Sequence, residues 1–108
     1  MGRYITNTLS YATTTVETGI SYQASVNDRV LCTAGSITIT LPLNSTLVVG
    51  DTVQIIDVGG NASAANITVG RNGALIQGAA SDLTIDINNS SPILVYSGVT
   101  YGWVLSGA

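Results

Sequence analysis

The sequence contains no lysine, no histidine and no phenylalanine, and only one cysteine, Cys32. Charged residues make up 8% of the 108, against about 25% in ordinary globular proteins. Each shortage excludes something. Three arginines and a net charge of −3 cannot neutralise many phosphates, so nucleic acid is not an expected partner. Without histidine, and with one cysteine, the usual zinc ligand sets cannot be built, and no run has the spacing of a calcium loop. Cys32 has no second thiol for a disulfide and no imidazole to act as its base. It sits in the apolar run RVLCTAG and reads as a small buried hydrophobe. No apolar run approaches the roughly 18 residues of a membrane span. The N-terminus lacks the apolar stretch of a secretory signal.

What remains is rich in threonine, serine, asparagine, valine and isoleucine. β-branched side chains lose χ1 freedom in a helix and pack well on a pleated surface, so the composition favours strands. With 45% apolar residues and so little charge, the surface must be covered by hydroxyls and amides or by other subunits. An oligomer is expected.

The chain divides into two parts. Residues 1–24 show no helical stripe. Thr13, Thr14, Thr15 and Val16 form a β-branched run that disfavours helix. This part reads as an extended arm with some strand character that lies on a neighbour or partner. Its contact residues are expected to be Arg3, Tyr4, Ile5, Leu9 and Tyr11.

Residues 25–108 read as a β-domain. DRVLCT is a strand, and SITITLPL alternates, with Ile37, Ile39 and Leu41 on one face. NSTLVVGD is a loop that carries Leu47 and Val48 back to the core. DTVQIIDV, NITVG and ALIQG follow as strands, with Asn72–Gly73 as a tight hairpin turn between the last two. LTIDIN places Leu83, Ile85 and Ile87 on one face. SPILVYSG and YGWVLSG close the chain as a hairpin across Gly98, Val99 and Thr100. About eight short strands with turns between them define an all-β, small antiparallel sandwich or barrel-like domain. No internal repeat is clear.

Candidate chemistry is sparse. Acid–base catalysis needs carboxyls whose surroundings separate their pKa values. Glu17, Asp28, Asp51, Asp57, Asp82 and Asp86 are scattered, and Asp51 and Asp82 read as turn and strand-end caps. DVGGN precedes no helix and is a weak phosphate cradle. MGRYIT fits the myristoylation pattern, and Asn44, Asn61, Asn66, Asn88 and Asn89 each begin a glycosylation triplet. Both patterns are expected by chance in this composition. Tyr96, Tyr101 and Trp103 cluster in the C-terminal hairpin, as an end plug of the core or as interface residues. Catalytic, cofactor-binding and metal-binding residues are expected to be none.

The stretch GDTVQIIDVGGNASAANITVGRNGALIQGAASDLTIDINNSSPILVYSGVTYGWVL resembles the small β-domain that recurs in tailed-bacteriophage structural proteins. That pattern runs as a strand with TLP, then GD, a DVGGN strand and loop, NITVGRNG, LTIDI, LVY and an aromatic YGWV finish. The resemblance covers about residues 25–105 and excludes the arm. It implies a homotrimer without enzymatic activity. The strands pack about a threefold axis, as in tail fibres, spikes, whiskers and capsid decoration (cement) proteins. One domain with a short arm suits decoration of the virion's outer surface, with the major capsid protein as partner. The alternative is a tail-fibre or whisker module that binds a receptor through residues 59–65 or the aromatic hairpin.

Overall fold

A computed structural model of the protein describes residues 13–106. The expected arm contacts Arg3, Tyr4, Ile5, Leu9 and Tyr11 lie outside the described residues. The described chain is all-β. Nine strands, β1 (Thr14–Thr18), β2 (Tyr22–Gln23), β3 (Asp28–Cys32), β4 (Thr38–Thr40), β5 (Thr52–Asp57), β6 (Ile67–Gly70), β7 (Leu83–Ile85), β8 (Ile93–Tyr96) and β9 (Trp103–Leu105), are joined by loops and one 3-10 turn at Asn44–Thr46. They form two sheets. The larger has the order β1-β3-β5-β8-β9 and the smaller β2-β4-β6-β7.

The strand directions correct the expectation of an antiparallel domain. β1–β3, β3–β5, β2–β4 and β4–β6 are all parallel. Only β5–β8, β6–β7 and β8–β9 are antiparallel. The chain therefore makes three coils. Each pass lays one strand in the larger sheet and the next in the smaller, and each new pass stacks on the last. A parallel pair needs a long crossover; here the crossover is the strand in the opposite sheet. Turns at regular spacing mark hairpins and stacked coils alike, so turn spacing did not distinguish them.

Hydrogen bonds between loops hold the coils in stack. Thr33 N donates to Thr18 O (2.9 Å) and Gly59 N to Cys32 O (3.2 Å) at one end. At the other, Ala24 N donates to Thr40 O and Leu41 N to Gly70 O, both at 2.8 Å. The coils differ in length. Thr14 lies opposite Asp28 and Arg29 opposite Gln54, offsets of 14 and 25 residues. That inequality explains why no sequence repeat is visible.

The described part of the arm carries β1 and β2, which supply the first coil, and Ala24 is buried in the core. The core lies between the sheets. Val30, Cys32, Val53, Ile55, Leu94 and Trp103 from the larger sheet meet Ile39, Ile67 and Val69 from the smaller, all with no exposed surface. Ile37 and Leu41 are also buried, as the alternation predicts. Two positions depart from expectation. Val48 is 67% exposed and only Leu47 packs on the core. Ile87 is 69% exposed, because β7 ends at Ile85.

The turn at Asn72 (φ 49°) and Gly73 (φ 96°) has the left-handed geometry expected of it, but it closes no hairpin. β6 pairs instead with β7. The segment after the turn contributes only bridges from Ile76 to Ala79 and to Trp103. The C-terminal hairpin forms as expected, with Tyr96 opposite Trp103.

Candidate functional site

The aromatic cluster divides. Tyr96 and Trp103 are buried, with ring centroids 5.6 Å apart at 64°, an edge-to-face pair of the kind aromatic quadrupoles favour. They plug the core beneath the hairpin. Tyr101 is 63% exposed at the hairpin tip. Gly102 sets this division. It adopts φ 70°, and a Cβ there would run into the Leu75 carbonyl. The close approach lets Trp103 N donate to Leu75 O (2.8 Å) and Gln77 N to Trp103 O (2.7 Å). The indole Nε1 is buried and finds no hydrogen-bond acceptor among the described residues.

Exposed apolar side chains gather on the hairpin that carries Tyr101 and on the loop beside it. Val48, Val49 and Val99 are all exposed. Val49 Cγ2 reaches within 3.8 Å of where a Cβ on Gly98 would sit, which brings the two loops together. The platform is braced from beneath. Asp51 Oδ2 accepts from Val48 N (2.8 Å), and Gly50 N donates to Tyr96 O (2.8 Å). Exposed apolar side chains on a braced platform are the composition of a contact surface.

A second feature is an open groove of about 440 Å³ beside the edge strand β7, lined by Leu83, Ile85, Ile87, Pro92 and Leu105, with Asp86 as its one carboxylate. A lone carboxyl offers no acid–base pair.

The other acids serve loops. Asp57 is fully buried. Its Oδ1 accepts from Asn61 N (3.2 Å), and its Oδ2 from Ala62 N (3.0 Å) and Asn89 N (3.1 Å). Burial pushes its pKa up, but the amides of Ala62, Asn89, Asn61 and Gly60 outweigh it, and the pKa falls below the ordinary value. The amides that a phosphate would need in DVGGN thus already hold the chain's own carboxylate. Asp82 Oδ1 accepts from Arg71 N (3.0 Å), which together with Asp51 gives the expected caps. Asp28 Oδ2 accepts from Ser25 N and from the Tyr22 hydroxyl, both at 2.8 Å. That bond to Asp28, with burial and the carboxylate charge behind it, raises the Tyr22 pKa.

Cys32 is buried, and burial followed by the nearby Asp57 charge pushes its thiol up to about 11. A thiol in this setting is protonated at neutral pH and inert. Among the described residues no group of three or more His, Cys, Asp or Glu side chains could hold a metal. None of their helices is long and apolar enough to cross a membrane.

Sequence reading missed two features. The role of Asp57 depends on a contact to Asn89, 32 residues away. The outward face of the larger sheet was the other. Its signal was present in the runs RVLC, VQII and ILVY, which are nearly continuous in apolar residues, the pattern of strands covered on both faces. No protein-family model matches the chain, and no curated protein matches it.

Proposed function

We propose that the protein is a homotrimeric virion structural protein, a capsid decoration protein that binds the assembled shell of the major capsid protein and stabilises it. The braced apolar platform of Val48, Val49, Val99 and Tyr101 supports this reading, because it has the composition of a contact surface and the carboxylate beside it, Asp51, is engaged in holding the Val48 loop. The platform is the shell-facing surface. Four of the six acids are engaged in holding loops, which favours a mechanical role over a catalytic one. Many copies that bind only the assembled shell would raise its stability by mass action.

The test is the copy number of this chain in purified virions relative to the major capsid protein. Hundreds of copies in a simple ratio to the capsid subunit are expected. A handful of copies, in multiples of three, would overturn shell decoration in favour of a tail or neck appendage.

A further inference from the structure

The two outward sheet faces differ in a way the single chain does not require. On the smaller sheet the outward residues are Gln23, Thr38, Thr40, Thr68, Gly70 and Thr84, with Thr38, Thr68 and Thr84 side by side across three strands. That face is built for water. On the larger sheet the register sets Leu31 beside Ile56, and Val95 beside Val104. Ile93 lies opposite Gln54, two residues from both Ile56 and Val95 along their strands. Diagonal neighbours about 7–8 Å apart are within reach of long side chains. The five residues therefore form one half-buried apolar stripe across four strands, with no layer of the described residues on top of it.

The same face carries an acid and a base at its β1–β3 corner. Glu17 stands beside Leu31 on β1 and Arg29 two residues before Leu31 on β3. Arg29 Nε donates to Gln54 Oε1 (3.3 Å), and Glu17 has no hydrogen-bond or ionic partner among the described residues. The face thus combines an apolar stripe with the polar Thr15, Thr52 and Gln54, and its corner offers one acid and one base to a copy of itself.

We infer that the outer face of the larger sheet is where sister copies pack in a closed three-membered ring. This rests on the homotrimer reading above and names its interface. The smaller sheet is just as parallel but turns threonines outward, so strand direction does not ask for a second cover; the apolar stripe on the larger sheet does, and a sister chain supplies it. With the β1–β3 corner of each copy turned toward the axis, Glu17 of one copy meets Arg29 of the next, as closed cyclic symmetry allows. The Val48–Tyr101 platform lies on loops at the end of the sheet and stays free for another partner.

The full-length chain is tested by light-scattering mass beside its Ile56→Arg, Val95→Arg and Thr68→Arg variants, with circular dichroism to establish folding. The wild type and Thr68→Arg are expected at three times the 11.0 kDa chain mass, and the two larger-sheet variants as folded single chains. If the wild type is trimeric and folded Ile56→Arg stays trimeric, the face assignment is overturned while the trimer reading stands. If the wild type runs as a single chain, the trimer reading itself fails. The charge pair gives a second test that leaves the apolar face intact. Glu17→Arg and Arg29→Glu should each raise the concentration at which trimers dissociate about tenfold, and the double exchange should recover it. A double variant no better than either single one would overturn the pairing.

Discussion

The inner faces of the two sheets are alike and the outer faces are not. Inside, both present aliphatic side chains with no exposed surface, Val30, Val53, Ile55 and Leu94 from one sheet and Ile39, Ile67 and Val69 from the other. Outside, one presents a row of threonines and the other a stripe of isoleucine, leucine and valine. A single buried layer is enough to specify the fold, so the second apolar face needs another explanation. The proposed packing of sister copies would supply one. The lesson is that the inner faces report the fold and the outer faces report the company the molecule keeps.

The sharpest way to probe the likeness is inside. Ile55→Ala on the larger sheet and Ile67→Ala on the smaller should each cost about 2–5 kcal/mol in denaturant unfolding, the range for large-to-small core changes. A cost near zero on either side would mean that the two sheets do not share one core.

Asp57 comes next, because it ties the larger sheet to the loop 58–62 and to Asn89. Asp57→Ala leaves the buried amide of Ala62 without an acceptor, at about 1–3 kcal/mol, and also frees the part-buried amide of Asn89. Asp57→Asn sharpens the point through pH. The folded pKa of Asp57 is lowered, so its contribution is complete above the unfolded value, about 3.9, and is lost as pH falls through the folded value. Stability of the wild type should therefore decline more steeply below pH of about 4 than that of Asp57→Asn. Equal slopes in acid titration of the unfolding midpoint would contradict this.

A smaller effect is expected at Trp103. Trp103→Phe removes an indole N–H that has no acceptor among the described residues. The loss of packing is offset by relief of the unsatisfied donor, so the net cost should fall well below the about 3–5 kcal/mol of a Trp→Ala change. A cost in that full range would show that the N–H is satisfied in solution.

The smallest effect separates the outer faces. Thr68→Val should change stability by no more than about 0.5 kcal/mol and leave the oligomeric mass unchanged. Ile56→Thr should weaken the assembly while leaving the dissociated chain nearly as stable. If both variants behave alike, the outer faces are equivalent and the comparison collapses.

Much of the fold was legible from local pattern. Ile37, Ile39 and Leu41 alternate and are buried, and the C-terminal hairpin forms at Tyr96 and Trp103. Strand direction was not legible, because a turn after Cys32 looks the same whether the chain folds back beside β3 or crosses to β4. Asn72–Gly73 shows the same limit. Its left-handed geometry was readable from residue type, but the partner of β6 was chosen at long range, by β7. For the site, the aromatic cluster was visible but its division was not. The buried pair and the exposed Tyr101 part at Gly102, whose approach to Leu75 is a tertiary contact.

The most direct measurement of the central claim is thiol labelling at matched positions. Val95 and Thr68 are both half-buried within the chain, one on each outer face. Cys32 is buried with its thiol pushed up to about 11, so it contributes no background. Val95→Cys and Thr68→Cys would each be treated with a maleimide under native conditions. Rapid labelling is expected at position 68, with strong protection at position 95 that disappears on dilution below the dissociation point. Equal rates at the two positions, at every concentration, would contradict it.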